Sequence, residues 1–541
     1  MTETAAPRRP KTEKSWSTTS PEGPWDYIVV GSGMGGMTTA ALLAKLGKRV
    51  LVLEQHYVPG GFTHTFKRKR WVWDVGVHAV GEVTEHTMTG RVLRALTDGR
   101  LEWTSLGPVY DEFFFPGGTH VEFPDNPLQF RENLIAVFPD QTRAIDDYLG
   151  LIRRTAKDMR GFLLSRALPP GTAWLTDRVL ARKGLEALRR RTIDVMTELT
   201  PDARLRAVLL SQWGYYGSPP SRSAFGMHAL VARHFLHGGY YPVGGSGRIA
   251  ETLLKTVADA GGWTRIKASA ARIVIEGDRA VGVELEGGEV IRAGGVVSAI
   301  GALETVERLL PDRYHDEGWR QAIGGLLPSP AHLCLNLGFE GDIRAAGAGA
   351  ANKWFYGTWD VEDEVWRADQ MESRPAPVLY TSFPSLKDPT HDPGERQLHT
   401  GEVVTFMPLS DFARWDGSRW MKRGGDYEGF KQRLTERILE QIYGHLPGLK
   451  PLTVHAELST PLSTVHFTRA AGGAIYGLEP SVERYANRWL RARTPVGGLF
   501  LSGVDVASVG VMGAMVGGVL AALSAEPVAA LGFLKRATTG R

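Results

Sequence analysis

The sequence predicts an α/β fold in which two discontinuous domains interleave along the chain. The segment "DYIVVGSGMGGMTTAALLAKLGKRVLVLE", which begins at Asp26, reads as strand, glycine-rich turn, helix and strand, and so forms one βαβ unit. Glycine-rich turns and short apolar strands return at 238–310 and again near residue 500. A helical pattern over 139–232 and further strands after residue 330 separate these pieces, which indicates insertions between them.

The composition is that of an ordinary globular protein and excludes several functional classes. The chain has 541 residues, of which 43% are hydrophobic and 23% charged, and its net charge of +4 is too small to indicate a nucleic-acid partner. Cys334 is the single cysteine, which excludes a disulfide framework and a CxxC redox pair. A reducing, cytoplasmic compartment is therefore expected.

Two stretches raise the question of export or membrane insertion. Residues 1–24 hold Pro, Ser, Thr and charges without an apolar run, which predicts a disordered tail and no signal peptide. Residues 506–525 are uncharged and long enough to span a membrane, but their many Gly and Ala residues make transfer into lipid weak. The prediction for this segment is a buried helix that faces a cofactor.

The βαβ unit carries a G-x-G-x-x-G motif at 31–36, which is typical of dinucleotide binding. Gly31 permits the tight turn, Gly33 lets the backbone approach a pyrophosphate, and Gly36 lets the helix pack closely on the strand. The helix N-terminus then offers N–H groups to the anion. Glu54 ends the second strand, where it would accept hydrogen bonds from ribose hydroxyls and repel the 2′-phosphate of NADP.

The Gly60-Gly61 pair that follows this acid favours FAD over NAD. FAD is the longer cofactor, and a glycine pair after the ribose acid lets the backbone come close to it. The alternative is a simple turn before the next strand. No second G-x-G-x-x-G occurs in a strand–turn–helix setting, so the sequence predicts no built-in NAD(P)H domain and an external electron donor or acceptor.

Five motifs give the chain a resemblance to a known family. They are "VVGSGMGGMTTAALLAKLGKRVLVLEQHYVPGGFTHTF", "WDVGVHAVGE", "GGYYPVGGSGRIAETL", "RAGGVVSAIGALET" and "LFLSGVDVASVGVMGAMVGG". In this order they resemble the flavoproteins related to retinol saturase, carotenoid isomerase and phytoene desaturase. The resemblance implies an FAD-dependent oxidoreductase that saturates, desaturates or isomerises C=C bonds of an isoprenoid or polyene lipid.

The resemblance also implies a fold and a set of cofactor contacts. A Rossmann-like FAD-binding domain of the glutathione-reductase and amine-oxidase type would comprise 25–105, 236–310 and 456–530. A mixed-sheet plus helical substrate domain would comprise 106–235 and 311–455. Residues that would contact FAD, with Val274 near the adenine and 512–514 over the flavin, are Gly31, Ser32, Gly33, Gly35, Gly36, Glu54, Gln55, Gly60, Gly61, Thr63, Val274, Gly503, Asp505, Met512, Gly513 and Ala514.

One departure from the family concerns the charge of the phosphate. Many relatives in the wider fold have Arg after the glycine pair, where this chain has Phe62. A positive partner for the phosphate is then missing or is supplied elsewhere. The approach to the last helix also differs, because Ala507, Ser508 and Val509 replace the Pro/Gly-rich segment that is common in the family.

Three side chains near the expected flavin are candidates for its chemistry. His64 and His78 titrate near neutral pH and would give or take a proton, and Tyr241 would line the ring face. The alternative for each is a satisfied structural or cofactor-packing side chain. His234 and His237 are three residues apart, but no acid or cysteine at ligand spacing accompanies them, so no metal site is predicted.

The substrate domain is rich in aromatic residues, which suit an apolar tunnel and a packed core equally well. The candidates for a tunnel lining are Trp213, Tyr215, Tyr216, Phe355 and Tyr356. The stretch 161–191 mixes Phe, Leu and Trp with many Arg and Lys residues. Such a mixture indicates either a surface that faces an anionic membrane or a solvated basic helix.

Two other functions remain open on the sequence alone. An FAD oxidase of amines or other small molecules would use the same cofactor motifs with a short aromatic cavity. A non-catalytic carrier of prenylated lipid would use the same fold, but it has no need of Glu54 or of the 503–514 ending. The partners predicted are an apolar small molecule, an external electron donor or acceptor and a membrane surface.

Overall fold

A computed structural model describes residues 15–314, 317–362 and 365–539. In this part of the chain eight strands form the first sheet, and they are β1 (Trp16–Ser17), β2 (Trp25–Val30), β3 (Val50–Leu53), β10 (Trp263–Arg265), β11 (Ala270–Glu276), β12 (Arg279–Leu285), β13 (Val290–Ser298) and β19 (Leu499–Leu501). Their order is β1-β10-β3-β2-β13-β12-β11, and β19 pairs with β13.

Seven strands of the described residues form the second sheet, and they are β7 (Val109–Phe115), β8 (Thr119–Pro124), β14 (His332–Glu340), β15 (Asn352–Tyr356), β16 (Val378–Ser382), β17 (Leu398–Phe406) and β18 (Thr453–Ser459). Their order is β18-β14-β17-β16-β15-β7-β8. Two small antiparallel pairs join β4 (Thr65–Arg68) to β5 (Trp71–Asp74) and β6 (Trp103–Ser105) to β9 (Tyr240–Pro242).

Helices cover both sheets. Those of the first half of the chain are α1 (Met34–Lys45), α2 (Met88–Leu96), α3 (Pro127–Val137), α4 (Thr142–Ser165), α5 (Ala173–Val179), α6 (Arg182–Leu188), α7 (Thr192–Leu199), α8 (Ala203–Leu210), α9 (Phe225–Phe235) and α10 (Gly247–Asp259). Those that follow are α11 (Ala302–Glu304), α12 (Gly318–Gly324), α13 (Pro384–Lys387), α14 (Gly425–His445), α15 (Pro461–Thr468), α16 (Val482–Ala486), α17 (Gly510–Ala525) and α18 (Pro527–Thr539).

The first sheet is parallel at its centre because its strands are apolar on both faces. All four residues of β3 are buried, as are the last three residues of β2, and β2 pairs in parallel with both β3 and β13. The predicted βαβ unit is thus present, with α1 packed against α10 and α17. The predicted strand–turn–strand series after residue 270 is also present, as the antiparallel run β11-β12-β13.

Side chains alternate strictly between the two faces of the second sheet, and each face packs against a different hydrophobic cluster. Leu333, Leu335 and Leu337 of β14 pack with Leu434 and Ile438 of α14 on one face. The intervening side chains of β14 lie on the opposite face, where the helices α4 and α6–α9 and the residues Trp354, Tyr380 and Phe406 form a second cluster. One face of this sheet is therefore free to wall a cavity.

The structure corrects the prediction of a disordered tail over 1–24. Residues 1–14 lie outside the described residues, but Trp16 and Ser17 form β1, which pairs in parallel with Thr264 and Arg265. Trp16 packs against the core of the first sheet, which explains why this short strand forms despite its polar neighbours. The domain boundaries given above stay predictions.

Most of the segment 506–525, from Gly510 onward, is a buried helix, as predicted. Helix α17 begins at Gly510, and most of its residues are buried against α1 and the first sheet. No helix within residues 15–314, 317–362 and 365–539 is both long and apolar enough to cross a membrane.

Candidate cofactor and substrate cavity

A cavity of about 320 Å³ joins the two sheets. Its first wall, the nucleotide end, lies at the carboxyl ends of β2, β3 and β13, which is where ligands bind in parallel α/β sheets. Its second wall, the chamber, is built on the second sheet by His332, Cys334, Trp354, Tyr380, Val404 and Phe406. Side chains of both walls thus face one continuous space.

Two helix N-termini open into the nucleotide end. Gly33 and Met34 at the start of α1 line it, and so do Gly510 and Val511 at the start of α17. A Cβ built on Gly33 would meet nothing within 4 Å, so the backbone there borders open space. The first N–H groups of a helix lack intrahelical partners and carry a positive dipole end, and both features suit a pyrophosphate or a charged ring.

Glycines bring these two helices together. A Cβ on Gly35 would lie 2.4 Å from Cα of Gly503, and one on Gly517 would lie 2.0 Å from the carbonyl oxygen of Gly503. A Cβ on Gly36 would lie 2.1 Å from the carbonyl oxygen of Gly31. These contacts involve backbone, which cannot give way cheaply, so only glycine permits the approach of α1, α17 and the β19 loop.

Glu54 lies where a ribose acid is expected. Its side chain is 7% exposed, lines the cavity, and accepts hydrogen bonds from Ser32 N at 3.0 Å, Ser32 Oγ at 2.5 Å and His56 N at 2.8 Å. Gly60 N donates to Ser32 Oγ at 3.0 Å, which joins the glycine pair to the same network. A carboxylate offers about four lone-pair sites, so acceptor capacity remains for a ribose hydroxyl.

Most of the predicted cofactor residues are brought together at the cavity. Those that line it are Gly31, Ser32, Gly33, Gly35, Glu54, Gln55, Gly61, Thr63, Gly503 and Ala514. This cradle has glycine backbone, two helix N-termini and a buried carboxylate, which are the features that a flavin adenine dinucleotide requires. The residues present therefore fit FAD, and their individual roles are predictions.

Other predicted cofactor residues lie behind this lining. They are Gly36, Gly60, Val274, Asp505, Met512 and Gly513. Asp505 accepts hydrogen bonds from Ala302 N at 2.7 Å and Leu478 N at 2.9 Å, which satisfies it within the protein. Val274 pairs with Gly282 in mid-strand, while Ala268 and Ala270 at the start of the hairpin line the cavity. The contact of Val274 with adenine stays a prediction.

The nucleotide end contains one cation that the motifs did not identify. Phe62 lines the cavity, and Arg308 is the one Arg or Lys among the described residues that line it. Nη1 of Arg308 donates to Ala270 O at 2.8 Å, and Nε lies 3.5 Å from Glu304 Oε2. Spacing from the glycine motif gives no signal for Arg308, because it approaches from the segment after β13.

The two histidine candidates line the cavity, and both are held neutral by burial. Nδ1 of His64 lies 2.5 Å from Gly61 O, and burial lowers the pKa of His64 to about 4. Burial and the nearby Lys387 lower the pKa of His78 to about 3, and its Nδ1 lies 2.8 Å from Glu402 Oε2. His78 therefore combines access to the cavity with a buried acid behind it.

Tyr241 lies outside the lining, against expectation. Its hydroxyl donates to Asp74 Oδ2, and its ring is 2% exposed on β9. Burial, together with the charge of Asp74, raises the pKa of Tyr241 well above its usual value. Asp74 also accepts from Ser246 N at 3.1 Å, so Tyr241 belongs to a satisfied internal network. Its role at the ring face stays a prediction.

The chamber is aromatic and mostly apolar. Trp354 and Tyr380 have ring centroids 4.4 Å apart, and Tyr215 meets Trp354 edge-on at 5.0 Å. Tyr215 is the one predicted tunnel residue that lines the cavity, whereas Trp213, Tyr216, Phe355 and Tyr356 are buried in the cores. The other chamber residues could not be predicted from the sequence, because alternation along β15–β17 does not show which face of the sheet borders a cavity.

Comparisons with known proteins agree with this geometry. Residues 34–525 match the family model described as flavin containing amine oxidoreductase. All-trans-retinol 13,14-reductase of Danio rerio is 32% identical over 91% of this chain and 84% of that protein. Chloroplastic prolycopene isomerase of Daucus carota is 24% identical over 84% of this chain and 72% of that protein.

A solved structure supports the fold. A triple mutant of putrescine oxidase, redesigned in its cofactor binding, is 17% identical and has a TM-score of 0.61 over 93% of this chain and 99% of that chain. At this level of identity the likeness establishes the architecture alone. The predicted fold class, a Rossmann-like dinucleotide domain interleaved with a mixed-sheet and helical domain, is confirmed.

Proposed function

The chain belongs to the flavin containing amine oxidoreductase family, and on that premise we propose that it acts on carbon–carbon double bonds of an isoprenoid or polyene lipid. It is an FAD-dependent oxidoreductase. The observation that carries the proposed substrate class is its 32% identity, over 91% of the chain, to a protein named all-trans-retinol 13,14-reductase. The aromatic chamber beside the cofactor cradle supports the same class, because flat apolar molecules pack well against such walls.

The chain's own residues would position the cofactor and control protons. Bound FAD supplies transfer of a hydride to or from a substrate carbon. The N-termini of α1 and α17 would stabilise the negative charges of the pyrophosphate and of the ring, and Glu54 would accept hydrogen bonds from the ribose. His78 and His64 would exchange the proton on the second carbon, since both line the cavity.

Saturation, desaturation and isomerisation share this arrangement and differ in the supply of electrons. Saturation requires an external donor, desaturation requires an external acceptor, and isomerisation requires no net exchange. The relatives carry names of two of these reactions, since one is a reductase and another is an isomerase. We propose saturation as the first of these reactions to test, because the reductase is the more similar of these two relatives.

A spectrum followed by a half-reaction tests the proposal. The purified protein should show the visible absorption bands of oxidised flavin. After anaerobic photoreduction, all-trans-retinol or a carotenoid should reoxidise the flavin. Mass spectrometry should then show that the polyene has gained two hydrogen atoms. A polyene that changes geometry while the flavin stays reduced would indicate isomerisation. Reduction of oxidised flavin by amines, without any reaction of polyenes, would indicate an amine oxidase, and a flavin-free protein would indicate a lipid carrier.

A basic and apolar surface supports docking of the enzyme on an anionic membrane, from which it would take its lipid. We call this the α5–α6 surface. Trp174 is 69% exposed and Val179 is 76% exposed, although large apolar side chains are normally buried. The other exposed apolar side chains of this surface are Leu164, Leu168, Leu175 and Leu180, and the exposed cations are Arg178, Arg182, Lys183, Arg189, Arg190 and Arg191.

The α5–α6 surface is firmly attached to the body of the protein. Asp177 of α5 accepts hydrogen bonds from Arg166 at 2.8 Å and Arg491 at 2.7 Å, and both arginines are buried. Apolar side chains that enter the headgroup region and cations that meet anionic lipid act together in peripheral binding. A rigid helix that presents both is suited to this task.

Vesicle binding tests the membrane surface. The protein should co-float with vesicles of mixed phosphatidylserine and phosphatidylcholine and should bind pure phosphatidylcholine weakly. The double variant Trp174→Glu with Val179→Glu should lose this binding and keep its flavin spectrum. Val528→Glu is the matched control, because Val528 is 86% exposed on α18 and is not one of the residues of the α5–α6 surface. Equal loss in the control, or binding by the double variant, would refute the surface.

A further inference from the structure

Behind His78 lies a buried carboxyl that the proposed reaction has not yet used. Glu402 of β17 is fully buried, and its Oε2 lies 2.8 Å from Nδ1 of His78 at an angle outside the range of a hydrogen bond. Neither atom has a hydrogen-bond partner in the described part of the chain. The other oxygen of Glu402 accepts from Asp74 N at 2.9 Å. Glu402 is therefore anchored at one oxygen and directed at His78 with the other.

This distance requires a proton on one of the two atoms. An imidazole nitrogen and a carboxylate oxygen without a proton are both acceptors, and two bare acceptors repel at such a separation. A proton on either atom turns the repulsion into attraction after a small rotation of either side chain. The pair therefore holds one exchangeable proton, on Oε2 or on Nδ1.

The surroundings assign this proton to the carboxyl at neutral pH. Burial raises the pKa of Glu402 to about 8, against the opposing effect of Lys387, while the pKa of His78 falls to about 3. A neutral acid beside a neutral ring avoids two charges in an apolar site. The other titratable groups that face the pair from packed elements are Asp74, Tyr241, His332, Cys334, Tyr380 and Lys387.

We infer that the far nitrogen of His78 faces the cavity. The ring lines the cavity and its side chain is 14% exposed, while Nδ1 is buried against Glu402. Nε2 makes no hydrogen bond to any residue that the structure describes. With Nδ1 accepting from Glu402, the neutral ring carries its own proton on Nε2, next to the space where a substrate would lie.

We propose that Glu402 and His78 form a proton relay in which Glu402 stores the proton that reaches the substrate through the imidazole ring. This proposal rests on the proposed function. Bound reduced flavin would supply the hydride for one carbon of the double bond. At the other carbon the Nε2–H bond of His78 would break and a C–H bond would form. The O–H bond of Glu402 breaks in the same step, and an Nδ1–H bond forms. Imidazole stays neutral, and Glu402 is left as a carboxylate.

Lys387 makes the charged product of this step tolerable. Its Nζ donates to His78 O at 2.7 Å, Asn352 Oδ1 at 2.5 Å and Ser382 Oγ at 2.7 Å, which fixes this group beside the relay. Burial lowers the pKa of Lys387 to about 8, so the group is mostly an ammonium at pH 7. It attracts the charge of Glu402, as the lowering effect of Lys387 on the pKa of Glu402 indicates. In the desaturation direction the same residues would run the steps in reverse, and Glu402 would begin as the base.

Infrared spectroscopy tests, without any substrate, whether Glu402 is protonated. In protein with ¹³C-labelled glutamate carboxyls, the holoenzyme at pH 7 should show the isotope-shifted C=O band of a protonated acid, which separates Glu402 from Asp74 and Asp111. The band should vanish as the pH rises through about 8 and should be absent in Glu402→Gln. Glu457→Gln, on β18 and outside the cavity lining, should keep it. A wild-type enzyme without the band at pH 7 would overturn the proposal, even if the variant fails to fold.

Kinetics test the transfer. Once wild-type reduced enzyme has been shown to reduce a polyene, its rate should fall as the pH rises through about 8, because only protonated Glu402 can donate. Glu402→Gln should slow this half-reaction roughly a hundredfold, the usual effect of losing a general acid. Any alkaline limb that remains in the variant belongs to Lys387, whose pKa burial lowers to about 8. Its flavin spectrum and FAD affinity should match those of Glu457→Gln. A variant with the wild-type rate and pH profile refutes the relay, whereas a wild-type enzyme inert to every polyene refutes the proposed function.

Discussion

Glu54 shows what a single buried carboxylate contributes to a nucleotide site. Its two oxygens already accept three hydrogen bonds from Ser32 and His56, so the side chain has one orientation before a cofactor arrives. Such preorganisation lowers the entropy cost of binding. Ser32 Oγ lies between Glu54 and Gly60 N, and this links the acid to the glycine pair that favoured FAD in the sequence.

Replacing this carboxylate should weaken FAD binding without unfolding the protein. In Glu54→Gln we expect the Kd for FAD to rise roughly ten- to hundredfold, because a hydrogen bond to a charged group contributes about 1.5–3 kcal/mol. Quenching of flavin fluorescence on titration of the apoprotein measures this. Glu85→Gln, at an exposed position outside the cavity lining, is the control. An unchanged Kd in Glu54→Gln would contradict a ribose role.

Asp111 should make stability depend on pH in a defined window. The side chain is fully buried and accepts from Tyr215 at 2.8 Å and Asn352 at 2.9 Å, and burial raises its pKa from 3.8 to about 7. Because the folded-state pKa exceeds the unfolded one, this group stabilises the fold fully below pH 3.8, and the contribution is lost as the pH rises to about 7.

The variant Asp111→Asn removes this titration. The Tm difference, wild type minus variant, should fall between pH 4 and 7 and level off above that range. Thermal unfolding at a series of pH values measures it. Asp140→Asn, on an exposed turn, should give a flat difference over the same range. A flat difference for Asp111→Asn would mean that the carboxyl is ionised throughout.

Residues differ in how far the sequence could identify them. Glu54 and Gly33 were predictable because their roles follow from local spacing in one βαβ unit. Glu402 and Tyr380 were not, because their positions beside the cavity depend on the register of β17 and β16 in a sheet assembled from distant segments. The hydrogen bond of Tyr241 to Asp74 was not predictable either, because the sequence of a glycine-rich loop gives no sign of the partner of a tyrosine hydroxyl.

At the scale of elements, the two glycine-rich helices carry the cofactor site. The N-termini of α1 and α17 meet at the nucleotide end only because Gly35, Gly503 and Gly517 remove the side chains between them. The run of Gly and Ala that made 506–525 a weak membrane span is thus explained by close packing. Strand β1 was not predicted, because two residues are too few to show the alternation of apolar and polar side chains that marks a strand. It forms through its pairing with β10.

Two glycines of the same motif should respond differently to alanine. In Gly36→Ala the Cβ would press on Gly31 O at 2.1 Å, so α1 must move, and we expect a loss of stability of about 1–3 kcal/mol together with weaker FAD binding. In Gly33→Ala the Cβ enters open space in the cavity, so the fold should keep its Tm while FAD binding is lost. Urea unfolding of both apoproteins, with flavin content after reconstitution, separates the outcomes. A destabilised Gly33→Ala that still binds FAD would contradict this account.

At the scale of the molecule, the cavity lies between the two sheets and is lined by residues of both. The nucleotide end belongs to strands whose motifs are readable in the sequence, and the chamber belongs to a sheet whose strands come from 109–124 and 332–459. The fold class was predictable because the βαβ unit and the later strands have clear periods. The identity of the chamber was not, since it exists only where the inner face of the second sheet meets the ends of the first.

Because both sheets wall the cavity, FAD should protect both from opening. At an FAD concentration of about 100 times Kd, every opening that must release the cofactor costs about 2.7 kcal/mol more than in the apoprotein. Hydrogen exchange of the apoprotein and holoprotein should therefore slow in β3 and also in β17, whose side chains Val404 and Phe406 line the chamber. Helix α14, on the outer face of the second sheet, should change least. Protection limited to β3 would mean that the second sheet opens independently, and Gly33→Ala should show no FAD-dependent protection in either strand.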